Sequence, residues 1–151
     1  MIISNVDQLI KFHEGLTLVA KADTHGKYGI GYGHDGAKPG QCCTVEQANA
    51  WLQSDKVAAI YGASKLLWPE WQDFASARRA AFIDMAYELG SNGLAEFDKM
   101  LEAAREGRWA DVKTAGLASV WAKQVPSRAE MDCEMLLTGK WPEVPDGTIP
   151  V

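Results

Sequence analysis

Residues 14–34 read EGLTLVAKADTHGKYGIGYGH, and this stretch decides the fold. β-formers alternate with glycines, and Thr24-His25-Gly26 is a turn signal, so the reading is a small antiparallel sheet with tight turns. The segment before it has helical spacing. Val6, Leu9, Ile10 and His13 recur on one face, Asn5 can cap the start with Gln8 three residues on as in a capping box, and Gly15 supplies the stop. The first helix therefore spans about Asn5 to His13, with Glu14 its last residue or the first beyond it.

After the sheet, DGAKPGQCC is a loop and Thr44 opens a long helix, with Val45, Ala48, Trp51 and Leu52 on one face, until Trp68-Pro69 breaks the pattern. From Phe74 to Leu89 the chain is apolar nearly all round, which marks a buried central helix ended by Gly90. Helical pieces follow around 94–105, 109–117 and Trp121. Pro126 suits the first turn of a last helix reaching about Leu137, although Val125 before it is a poor cap. A proline-rich extended tail closes the chain. Strands segregated into one part of an otherwise helical chain predict an α+β fold. Its parts are a sheet lobe at 15–43, a connecting helix at 44–67, a helical lobe at 68–141 that the first helix joins, and a tail at 142–151. A cleft between two lobes suits a polymer substrate.

Composition narrows the function. The chain has 151 residues, of which 47% are hydrophobic, enough for a full core without staples. A net charge of -5 argues against a nucleic-acid binder, which would show a basic stripe. No apolar run approaches a membrane span, and the start lacks the basic and apolar regions of a signal peptide. Cys42, Cys43 and Cys133 do not make a disulfide framework. Adjacent Cys42 and Cys43 near His34 lack the usual spacing of a zinc site, so no metal or cofactor is expected.

Glu14 and Asp23 are the residues on which chemistry would rest. A chain that leaves the helix at Gly15 and folds back can set the two carboxylates on opposite sides of one cleft. Glycoside hydrolysis needs that layout, with an acid to protonate the leaving oxygen and a second carboxylate across the sugar. Spacing alone is weak support, because the chain has 20 acidic residues and a Glu at a helix end or an Asp in a turn is commonplace.

The wording of the sequence adds to the spacing. Residues 14–34 resemble the signature of the tailed-phage lysozymes (endolysins), glycoside hydrolase family twenty-four. Its pattern is roughly E-G-x-x-L, an Asp after eight intervening residues, and then T-I-G-x-G-H. The segment SARRAAFIDMAYELGSNGLAEF, 76–97, is similar to the family's buried helix and following turn. The segment from Gly107 to Trp141 is similar to its closing W…Q-x-P-x-R-A…TGxW. Several motifs in one order are far more specific than any one of them.

The resemblance implies a lysozyme-like two-lobe fold over 1–151. It implies a muramidase cutting the β-1,4 bond between N-acetylmuramic acid and N-acetylglucosamine, with Glu14 as general acid and Asp23 assisting water in an inverting mechanism. His34 falls on the family's sheet-closing His, expected to partner a buried carboxylate. Arg128 falls on an Arg that pairs with the catalytic Glu; it would lower the proton affinity of Glu14 while burial raises it. Asp35 and Tyr87 fall where the saccharide groove is lined, though Tyr87 also suits the core.

Three positions depart from the pattern. Gly29 replaces the Thr whose hydroxyl helps hold the nucleophilic water. Lys21 replaces an aromatic and could favour ionised Asp23 if close. Glu88 replaces an amide, and either faces the cleft as a third carboxylate or points to solvent. Two other functions stay open: a lytic transglycosylase, motivated by Gly29, and a wall-binding phage component without activity. Peptidoglycan is the expected partner, with no nucleic acid and no membrane insertion. A monomer is expected, made in a host cytoplasm and dependent on a holin to reach the periplasmic wall.

Overall fold

The computed structural model describes residues 1–151. Helix α1 spans Val6–Glu14. Asn5 caps it through its side chain, which accepts from the Gln8 amide at 2.9 Å. The return arm of the expected capping box reaches one residue further back, since Gln8 accepts from the Ser4 amide (2.8 Å) and not from that of Asn5. Gly15, at φ 69° and ψ -179°, turns the chain out of the helix in a conformation that costs an L-residue about 1–3 kcal/mol.

Strands β1 (Thr17–Ala22), β2 (Tyr28–Gly31) and β3 (His34–Asp35) form an antiparallel meander in that order. Lys21 pairs with Gly29, and Gly29 with Asp35. A bulge between Thr17 and Lys21 bends β1. Helix α2 (Val45–Leu67) starts at a Thr44 cap and runs from the sheet to the helical lobe. A single 3-10 turn, Glu70–Asp73, then leads into α3 (Ser76–Ala95), α4 (Asp98–Arg105), α5 (Trp109–Leu117), α6 (Val120–Gln124) and α7 (Pro126–Thr138). The α+β expectation therefore holds, with the strands confined to one lobe.

Two apolar clusters hold these elements. The large one fills the helical lobe, from Leu9 of α1 through Leu67, Phe82, Met85 and Met100 to Leu136. It includes Leu9 and packs against Phe12, which is why the first helix belongs with the C-terminal elements. The small cluster, Ile10, Tyr32, Ala48 and Leu52, ties the sheet to α1 and α2. Ile10 and Leu9 thus face different lobes from adjacent positions, and α1 delivers its C-terminal end, Glu14, to the seam between them.

Helix boundaries differ from expectation at two places. α3 starts at Ser76, two residues late, because Ala75 before it is extended. Helical character resumes after the break at Gly90 (φ 73°, ψ 163°), so Leu94 belongs to the end of α3 and α4 opens only at Asp98. The tail folds back on the N-terminus, where Ile3 donates to the Pro142 carbonyl (2.9 Å) and Val144 to that of Met1 (2.9 Å), and it then turns at Asp146-Gly147. No helix is long and apolar enough to cross a membrane.

Candidate active site

The seam between the lobes is an open cavity of about 350 Å³, lined by Glu14, Asp23, Gly29, Asp35, Tyr87 and Glu88, among others. It is continuous, through Gly33, Asp35 and Tyr87, with a second hollow of about 390 Å³ that runs past His34 to Ser91. Six of the eight residues singled out in the sequence thus face the first cavity. His34 faces the second, and Arg128 lies beneath the floor.

Glu14 has a side chain 18% exposed, and Arg128 Nη1 donates to its Oε2 at 2.8 Å. Burial is the largest influence on its carboxyl and raises its proton affinity above the ordinary glutamate range. The Arg128 charge pulls the other way and loses, and the charges of Asp84 and Glu88 add to the rise. Gly33, at φ +74°, lies directly against this carboxyl. A Cβ there would stand 2.9 Å from Glu14 Cδ, so only glycine leaves the acid its place. Gly33 was missed as a site residue, although its place in the run Gly31-Tyr32-Gly33-His34 was a readable signal.

Asp23 is the opposite case. It is exposed at the β1–β2 turn, where its Oδ1 accepts from the amides of His25 (2.8 Å) and Lys27 (2.9 Å). Those two hydrogen bonds hold its carboxyl below the usual range, helped by the nearby charges of His25 and Lys27. Lys21, expected to favour ionised Asp23, also lines the cavity, but the charges acting on Asp23 come from the turn itself. The two carboxyls are thus pushed in opposite directions within one cavity, Glu14 toward higher proton affinity and Asp23 toward lower.

His34 partners a carboxylate as expected, but not a buried one. Its Nδ1 lies 2.7 Å from Asp55 Oδ2, and both side chains are partly open to solvent. The ring also stacks on Trp51 at 4.7 Å. Trp51 and Asp55 are one turn apart on α2, so His34 clamps the sheet onto the connecting helix. Tyr87 lines the cavity and also packs against the core. Its hydroxyl donates to the Tyr32 carbonyl (2.5 Å) across the seam.

Glu88 does not point to solvent. Its Oε1 accepts from Trp121 Nε1 (2.9 Å) and lies 3.4 Å from Arg128 Nε. Gly29 has room: a Cβ there would meet nothing closer than the His34 carbonyl, at 3.6 Å. The thiols of Cys42, Cys43 and Cys133 are free.

Beneath the floor lies a polar group the sequence reading missed. Asp84 of α3 is wholly buried, and its oxygens accept from Arg128 Nε and Nη2, both at 2.9 Å, and from His13 Nδ1 at 3.0 Å. Asp132 of α7 is buried beside it. Two signals were available. Asp84 is a charge inside an otherwise apolar helix, which demands a partner, and His13 falls on the apolar face of α1.

Comparison with known proteins places the chain in a family. Residues 11–131 match the family described as Phage lysozyme. The chain is 30% identical to the pre-baseplate central spike protein Gp5 of Enterobacteria phage T4 over 87% of its own length, and spans 27% of that longer protein. It is 24% identical to the probable T4-type lysozyme 2 of Dictyostelium discoideum, covering 91% of this chain and 96% of that one, and 23% identical to the probable T4-type lysozyme 1 of the same organism at the same coverage. The chain belongs to the phage lysozyme family.

Proposed function

We propose that this chain is a muramidase that hydrolyses the β-1,4 bond between N-acetylmuramic acid and N-acetylglucosamine in peptidoglycan. The observation that carries the reading is the divergence of two carboxyls in one cavity, Glu14 pushed toward its acid form by burial and Asp23 held ionised by its turn. A pair separated in this way is the requirement for general acid and base at one pH. Glu14 donates its proton to the leaving glycosidic oxygen. Asp23 draws a proton from water on the other face of the ring, and the water oxygen bonds to the anomeric carbon as the glycosidic bond breaks. Glu14 ends ionised beside Arg128, which stabilises the charge it has just acquired.

The remaining cleft residues take supporting roles. Asp35 and Tyr87 line the groove where sugar hydroxyls and a ring face would lie. His34 fixes the sheet lobe against α2 through Asp55 and Trp51. Glu88 is oriented by Trp121 and has a second oxygen for substrate or water. Release to the wall through a holin and action as a monomer belong to the same proposal.

A second reading, lytic transglycosylase, rests on Gly29. With no hydroxyl at that position, water has one holder fewer, and an internal sugar hydroxyl could attack in its place. The test of the main reading is Glu14→Gln. Lysis of purified cell wall should fall to background while the circular-dichroism spectrum and cooperative unfolding persist. Retained turnover in the folded variant would end the assignment.

A further inference from the structure

The guanidinium of Arg128 is over-subscribed. Three carboxylates approach it: Asp84 through two bonds of 2.9 Å, Glu14 through one of 2.8 Å, and Glu88 at 3.4 Å. One positive charge cannot balance three negative ones in a site where Arg128 is only 9% exposed and Asp84 not at all. At least one carboxyl there is driven to keep its proton.

The geometry decides which. Asp84 engages the fork with both oxygens, the strongest form of this pairing, and also takes a hydrogen bond from His13. Its backbone carbonyl accepts from Arg128 Nη2 as well, at 3.3 Å. Glu14 has one such bond and lies at the cleft wall. Asp132 is wholly buried beside Asp84, and that burial and the Asp84 carboxylate hold its carboxyl well above the usual range. It therefore competes for the cation less than Asp84, which engages it directly. The Arg128–Asp84 pair is close to charge-balanced before Glu14 is counted.

We propose that Asp84 is a positioning residue of this site: by gripping Arg128 from beneath with both oxygens, it consumes the cation's charge and leaves Glu14 able to hold the proton it must donate. The inference rests on the reading of Glu14 as proton donor. The groups facing Glu14 and Asp84 can be named in full. They are His13 from α1; Asp84, Tyr87 and Glu88 from α3; Arg128 and Asp132 from α7; and Lys21, Asp23, Lys27, Tyr28 and Asp35 across the cavity. Among these, Asp84 is the one that meets Arg128 at full burial.

The test is a carbon-13 NMR titration of the side-chain carboxyls in the intact chain, alongside the pH profile of initial rate on purified peptidoglycan. In the wild type, Glu14 should titrate above the ordinary glutamate range and Asp84 should stay ionised well below the ordinary aspartate range. In Asp84→Asn, the freed guanidinium turns to Glu14, so Glu14 should titrate at lower pH. The alkaline limb of the rate profile should move down with it, and the rate at the wild-type alkaline midpoint should fall by about tenfold, the effect of an opposite charge no longer cancelled.

Asp132→Asn replaces a carboxyl whose burial favours its uncharged form and that makes no contact with the guanidinium, and it should leave the Glu14 titration where it is. An unmoved Glu14 titration in Asp84→Asn, an equal movement in Asp132→Asn, or an Asp84 that takes up a proton in the ordinary range of the wild type would each overturn the inference. The last reading decides the matter even if Asp84→Asn does not fold. A Glu14 titration that moves while the alkaline limb stays put upholds the coupling and overturns the proton-donor role instead.

Discussion

Gly33 and Gly29 sit four residues apart in the same small sheet region and make opposite demands. At Gly33 the backbone is left-handed and the missing Cβ is filled by the Glu14 carboxyl. Gly33→Ala should destabilise the fold by about 1–3 kcal/mol, the usual cost of such a strained position. It should lower wall lysis further than that loss explains, because Glu14 must move; thermal unfolding and initial rate measured together separate the two effects. At Gly29 the backbone is an ordinary strand and the space beside it is open. Gly29→Thr should fold, gain up to about 1 kcal/mol from strand propensity, and raise the hydrolytic rate by restoring a hydroxyl in the cavity wall. Arg128→Ala should be the most damaging single change, at about 3–5 kcal/mol in denaturant unfolding, because it strands the buried Asp84 without its cation. Glu14, Asp23, Arg128 and their neighbours were legible as residues because they stand in recognisable wording. Asp84 and His13 are legible only as polar residues in apolar patterns that demand partners; which partners they find is decided by the packing of α1, α3 and α7.

Helices and strands were legible where the sequence carries local punctuation. The Thr44 cap fixed the start of α2, Pro126 the start of α7, and the turn before Gly26 the hairpin. The central helix breaks at Gly90 as its sequence implies, where the backbone is non-helical, but the helical turn that follows at 91–95 is separate from α4, which opens only at Asp98. A positive-φ glycine stops a helix locally, but the buried Leu94 pulls the next turn back onto the core. Burial of Leu94 is a tertiary effect with no local signature. The α2–α3 contact gives a prediction at this scale. Gly62 on α2 lets Ser91 of α3 approach so closely that an added Cβ would stand 2.5 Å from the Ser91 Cβ. Gly62→Ala should therefore cost about 1–3 kcal/mol by overpacking, despite the better helix propensity of alanine. Thermal unfolding checks it, and a stabilised variant would show that the two helices part easily.

The whole molecule is held in a window of pH set by the same buried groups. Asp84 has its proton affinity depressed in the folded state, so the stability it contributes is complete above the ordinary aspartate range and is lost as pH falls through its lower folded value. Glu14 and Asp132 are raised, so their contribution is complete below the ordinary carboxylate range and is lost as pH rises through their folded values. Stability measured by denaturant unfolding should therefore decline on both sides, and Glu14→Gln should soften the alkaline decline. Activity should follow a bell between the low titration of Asp23 and the high titration of Glu14. Charge acts at longer range as well. With a net charge of -5 the chain has no overall attraction for an anionic wall, so added salt should not weaken lysis steeply; a steep loss would point to attraction by a local cationic patch. The central claim is that Glu14 protonates the glycosidic oxygen while water, directed by Asp23, attacks from the opposite face. It is tested most directly by following the anomeric configuration of the first product released from a soluble peptidoglycan fragment, by proton NMR during the first turnovers. The account predicts a reducing muramyl end of inverted configuration. A product of retained configuration, or an anhydro-muramyl end short of one water, would contradict it.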